Sequence, residues 1–125
     1  MDENEISKLV IGAAIDVHRE LGPGLLEATY EDCLAYEFDL RQIPYERQKR
    51  VPVVYKGKAF PDGLRVDLLA AGLVVVELKS VEALNEVHDA QVLTYLKFTG
   101  CKLGLLLNFN VRYLRQGIRR LVLNL

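Results

Sequence analysis

The run Leu73-Val74-Val75-Val76-Glu77-Leu78-Lys79 constrains this chain more than any other segment. Read as a strand, it alternates side chains between two faces, so Val74, Val76 and Leu78 point one way and Glu77 and Lys79 the other. The apolar set can enter a core. Glu77 and Lys79 cannot be buried cheaply unless something pairs them. A divalent metal ion would pair Glu77, and a phosphate would pair Lys79. Asp67, ten residues before Glu77, brings a second carboxylate from the preceding strand.

A chain of 125 residues, half of them hydrophobic, fits one domain over residues 1–125 with a single core. No apolar run is long enough to span a bilayer, and the acidic start Met-Asp-Glu-Asn-Glu is no secretion signal, so a cytoplasmic location is expected. Cys33 and Cys101 lie in no metal-type spacing and read as reduced, buried thiols. Charge is unevenly spread. Residues 1–40 carry ten acids and two bases, and residues 41–125 carry seven acids and fourteen bases. Two basic clusters stand out: Arg41, Arg47, Lys49, Arg50, Lys56 and Lys58, then Arg112, Arg115, Arg119 and Arg120. They could follow a phosphate backbone, or simply be a solvated surface balanced across the fold.

Ile6, Val10, Ala13, Val17 and Leu21 recur at helical spacing, and Gly22-Pro23-Gly24 ends that helix. A second helix is expected from Leu25 to Arg41, closed by Ile43-Pro44. Strands follow at Tyr45–Tyr55, at Lys58–Leu69 with an interruption at Pro61-Asp62-Gly63, and at Leu73–Lys79. A helix over Asn85–Thr99 precedes strands at Lys102–Asn108 and Gly117–Leu123. The order ααβββαββ predicts an α/β (α+β) fold, a central mixed β-sheet flanked by helices.

Asp67 and Glu77 sit on antiparallel neighbours and should converge, which two carboxylates do comfortably only around a cation. Hard oxygen ligands in small number suit Mg²⁺, with Mn²⁺ able to substitute. Lys79 beside them could steady an attacking hydroxide and the negative charge that develops. A lone Glu-x-Lys is also a common surface ion pair of little value. His88, Gln91 and Tyr95 share one helix face. Gln91 and Tyr95 could bond a phosphate or base or position Lys79. Tyr95 could equally be a core aromatic, and His88 reads as an ordinary, partly exposed helix residue. Glu27, in the first turn of its helix, is either a favourable charge at a helix N-terminus or a third carboxylate for the metal.

Gly24-Leu25-Leu26-Glu27-Ala28-Thr29-Tyr30 resembles the pattern that names the GxxExxY proteins, members of the PD-(D/E)XK nuclease superfamily. Asp67 with Glu77-Leu78-Lys79 is similar to the superfamily's acid and (D/E)-x-K motif. Gln91-Val92-Leu93-Thr94-Tyr95 resembles the Q-x-x-x-Y helix motif of RecB-like nucleases. The likeness runs from the first helix to Asn108-Phe109. It departs at Val66, where proline is common, and lacks the iron–sulfur cysteines, helicase motifs and added DNA-binding domain of some relatives. The resemblance implies a restriction-endonuclease-like core and a metal site of Glu27, Asp67, Glu77 and the Leu78 carbonyl. It implies Lys79, Glu77, Asp67, Gln91 and Tyr95 as catalytic residues.

The expectation is therefore a Mg²⁺-dependent nuclease that hydrolyses phosphodiester bonds, with DNA as the favoured substrate. The alternative is a non-catalytic nucleic-acid-binding or assembly module on the same fold. A third, purely structural reading makes Glu77 and Lys79 a surface pair in a dimer subunit. A homodimer is compatible with all three, and the leucine-rich Leu121–Leu125 segment is its candidate contact, although packing within its own sheet is the favoured reading of those residues.

Overall fold

A computed structural model describes all 125 residues. Helices α1 (Glu3–Leu21) and α2 (Glu27–Arg41) lead into a long hairpin, β1 (Tyr45–Tyr55) and β2 (Lys58–Ala70). Strand β3 (Val74–Lys79), helix α3 (Glu86–Thr99) and strand β4 (Leu103–Asn108) form a crossover unit. A short 3₁₀ turn (Leu114–Gly117) precedes the edge strand β5 (Ile118–Val122). The sheet order is β1-β2-β3-β4-β5, with β3 and β4 parallel and the other neighbours antiparallel. This is the mixed, helix-flanked sheet that the sequence predicts, and it is consistent with a restriction-endonuclease-like core. The 3₁₀ turn is the one element the sequence reading lacks.

The sheet is covered on both faces. On one side α1 and α2 pack Val10, Ala13, Tyr30, Leu34 and Phe38 against Val74, Val76, Leu78, Leu103, Leu105 and Leu107. On the other, Val92 and Leu96 of α3 meet Val75 and Leu106. Burial on both faces makes β3 and β4 nearly continuous apolar runs. Gly104 lets α3 sit this close, because a Cβ there would lie 2.5 Å from Val92 Cγ1.

Two local expectations need correction. β2 is not interrupted at Pro61-Asp62-Gly63. Val53 pairs with Phe60 and Val51 with Leu64, so three residues of β2 stand against Pro52 alone. Proline offers no amide to the ladder, and the extra residues bulge while the strand runs on. Cys33 and Cys101 are free thiols as expected, but half-buried and not buried. Leu121 and Leu123 pack beneath α3, within their own sheet. No helix is long and apolar enough to cross a membrane.

Candidate active site

The site begins where two strands part. β2 and β3 pair only from Leu68 to Ala70 against Val76 to Val74. One more step of that register would set Asp67 opposite Glu77, but there the backbone ladder stops. The side chains take over its bonds. The Asp67 amide donates to Glu77 Oε1 at 3.0 Å, and the Leu78 amide donates to Asp67 Oδ2 at 3.0 Å. The apolar flanks of β3 fix Glu77 in place, because Val76 and Leu78 are locked into the α1/α2 core.

The parting has a second cause in β1. Gln48 is left-handed (φ 49°), and the β1–β2 ladder skips it, pairing Arg47 with Leu68 and Lys49 with Val66. The hairpin exchanges its faces at this step. Val51, Leu64 and Val66 pack on the α3 side, whereas Tyr45, Leu68 and Ala70 pack on the α1/α2 side. Asp67 lies at the exchange, and Gln48 Nε2 donates to its Oδ1 at 3.3 Å. Gln48 is itself held by Glu31, whose Oε1 accepts from Nε2 at 2.5 Å, while Glu31 Oε2 accepts from Arg47 at 2.8 Å.

Glu77 is only 3% exposed. Burial, and after it the Asp67 charge, push its pKa up to about 9, against a weaker pull from Lys79. At neutral pH and with no cation present, the Glu77 carboxyl therefore keeps its proton. A divalent ion between the two carboxylates would replace that proton, so the donor set fits a hard cation such as Mg²⁺. Lys79 is half-buried at the end of β3, with no carboxylate within ion-pair distance.

Glu27 is the first residue of α2 and is exposed. Its Oε1 accepts the Ser80 amide at 3.3 Å, and Ser80 Oγ donates to the Leu25 carbonyl at 2.7 Å. Glu27 thus reaches the end of β3 without joining the other two carboxylates. No group of three or more His, Cys, Asp or Glu side chains is arranged to hold a metal ion. Tyr30 secures the loop before Glu27. Its hydroxyl donates to the Gly22 carbonyl at 2.5 Å and accepts from the Leu25 amide at 3.1 Å, and its ring stacks on Phe109 at 4.5 Å.

On α3, Gln91 Nε2 donates to the Tyr95 hydroxyl at 3.1 Å. Burial first, then the Glu77 charge, raise the Tyr95 pKa, which leaves the hydroxyl a neutral donor facing the carboxylates. His88 has a different job. Its Nδ1 accepts from the Asn85 amide while Asn85 caps Val87 and His88, a reciprocal capping box.

Sequence reasoning missed Glu31, Gln48 and Ser80. Glu31 had a readable signal, four residues beyond Glu27 and hence on the same helix face. Gln48 had none, because its left-handed backbone carries no glycine or asparagine to announce it.

A family model of the PD-(D/E)XK nuclease superfamily matches residues 4–121. The chain belongs to the PD-(D/E)XK nuclease superfamily. The match covers every element that builds the site, from α1 to β5. The narrower likeness to the GxxExxY proteins rests on residues 24–30 alone. No curated protein and no solved structure matches the chain.

Proposed function

We propose that the protein is a Mg²⁺-dependent nuclease that hydrolyses phosphodiester bonds, with DNA as the favoured substrate and Mn²⁺ able to replace Mg²⁺. The observation that carries this reading is the Asp67–Glu77 pair at the strand fork, with Glu77 buried, Asp67 half-buried and Lys79 unpaired beside them. A bound divalent ion would polarise the scissile phosphate and acidify a water molecule. Asp67, Glu77 and the Leu78 carbonyl are the groups that would hold it, with Glu27 acting through an intervening water. Lys79 lies on the Glu77 side of β3, where its ammonium can hold a hydroxide nucleophile and balance the charge of the pentacovalent state. The Gln91–Tyr95 pair supplies neutral donors that orient Lys79 or a phosphate oxygen. Burial of Glu77 keeps the electrostatic terms at that carboxyl strong.

The second reading is a non-catalytic nucleic-acid-binding or assembly module on this fold. It is favoured by the two-carboxylate geometry, in which Glu27 holds a backbone amide instead of completing a cluster of three. Calorimetric titration with Mg²⁺ and Mn²⁺ on wild type and Asp67→Asn separates the two. The nuclease reading expects a site with an affinity near millimolar or tighter, lost in the variant. A folded wild-type protein that takes up neither ion would leave only the second reading.

A further inference from the structure

One concave surface of the molecule lies away from Asp67 and Glu77. It is a groove of about 720 Å³ between the end of α1 and the segment that links β4 to β5. Arg19, Arg112, Tyr113 and Arg115 line it, with His18 and Gly22 among the other residues of its wall. That volume is ample for a nucleotide unit.

Part of the basic surface is tied up in ion pairs; Lys56, Lys58 and Arg120 are outside them, and so are two arginines that share this groove. Arg47, Lys49, Arg50 and Arg119 are each tied to a carboxylate. Arg112 and Arg115 are in no ion pair, and Arg19 has only a loose 3.5 Å contact to Asp16. Both free guanidinium groups lie over the Tyr113 ring, Arg112 at 5.2 Å and Arg115 at 5.8 Å from its centre. Stacking on an aromatic face orders a guanidinium while leaving its N–H edge open, and that edge matches two phosphate oxygens at once. The segment is anchored. Buried His18 bonds the Val111 carbonyl through Nε2 at 2.8 Å, immediately before Arg112.

The groove is also joined to the strand end that carries Lys79. The Phe109 amide donates to the Lys79 carbonyl at 2.9 Å, and Arg112 follows three residues later. Gly22, in the groove wall, is bonded by Tyr30, whose hydroxyl also takes the Leu25 amide of the loop that Ser80 holds. We infer that Arg112 and Arg115, stacked on Tyr113 and joined by Arg19, form a phosphate-binding groove for a nucleic-acid strand beside the carboxylate site. The inference rests on the nuclease reading only in taking the phosphate to be that of nucleic acid. The same chemistry would serve a phosphodiester within the strand or a phosphate at its end.

The test is the affinity of fluorescent single-stranded oligonucleotides, with and without a 5′-phosphate, measured in EDTA so that cleavage plays no part. Wild type is compared with Arg112→Ala, Arg115→Ala and Arg112→Gln, and with Lys102→Ala as an exposed lysine outside the groove. Each arginine variant should bind about tenfold more weakly. Each should also lower the slope of log K against log salt by about 0.7. Loss on both oligonucleotides assigns an internal phosphodiester, and loss confined to the 5′-phosphorylated one assigns a strand end. Arginine variants that keep wild-type affinity and salt slope, with an unchanged circular dichroism spectrum, overturn the inference, as does an equal loss in Lys102→Ala. Absence of cleavage in Mg²⁺ would count against the nuclease reading and leave this binding result standing.

Discussion

Asp67 and Glu77 each complete the other's strand: the Asp67 amide donates to the Glu77 carboxylate, and Asp67 accepts the amide next to Glu77. The two carboxylates are therefore structural bonds of the apo protein as well as the candidate metal ligands. That double role sets the sign of several effects.

Glu77→Gln should stabilise the metal-free protein above neutral pH. The folded Glu77 pKa is raised from 4.5 to about 9, so the carboxyl is neutral in the fold and ionises on unfolding. The stability tied to its proton is complete below pH ~4.5 and is lost as pH rises towards about 9. Glutamine carries no such loss. Melting in EDTA should show the two proteins matched near pH 4.5 and the variant higher by about 5 °C or more at pH 8. A gap that fails to widen with pH would contradict a buried, protonated Glu77.

Mg²⁺ should narrow that gap. Saturating ion at ten times its dissociation constant adds about 1.4 kcal/mol to wild type, because it binds only the fold. Glu77→Gln should gain much less. Because Glu77 must release its proton on binding, apparent Mg²⁺ affinity should rise nearly tenfold per pH unit between pH 6 and 8. Thermal melts across a Mg²⁺ and pH grid check both statements.

Tyr30→Phe removes a hydroxyl that bridges Gly22 and Leu25. The expected cost is about 1–2 kcal/mol in urea denaturation. Cleavage should fall as well, because the bridged loop carries the Leu25 carbonyl that holds Ser80 and leads into Glu27. Unchanged stability and rate together would remove Tyr30 from the account of how the loop is placed.

Gly104→Val should be among the most damaging core substitutions. Even the first carbon would meet Val92 at 2.5 Å, so α3 must move away from β4. Overpacking of this kind costs about 1–3 kcal/mol. The displacement would shift Gln91 and Tyr95 with the helix, so the melting temperature and the rate should drop together.

Much of this was legible in the sequence because β3 and β4 advertise their burial. Leu73 to Leu78 and Leu103 to Leu107 are apolar on both faces, which demands cover on both sides and leaves Glu77 conspicuous. The stop at Gly22-Pro23-Gly24 was equally plain. The strand fork was not. It depends on Gln48 adopting a left-handed backbone and on side chains replacing a ladder, and neither has a local residue signature. The irregularity at Pro61-Asp62-Gly63 was legible as a break in β2, but only the cross-strand register shows that these residues bulge against Pro52 while the strand runs on. Glu27 shows the opposite limit. Its spacing marks a first-turn carboxylate, but only the tertiary fold shows that it caps the end of β3 through Ser80.

Cleavage of labelled single- and double-stranded DNA and RNA by wild type and Lys79→Ala, in Mg²⁺, Mn²⁺ or EDTA, tests the central claim most directly. Wild type should cut at least one substrate with either ion and none in EDTA. Lys79→Ala should still bind metal and nucleic acid but cut about 10²–10³-fold more slowly, the usual loss on removing a group that stabilises transition-state charge. Metal-dependent cutting at the wild-type rate by Lys79→Ala, or no cutting at all by metal-loaded wild type, would contradict it.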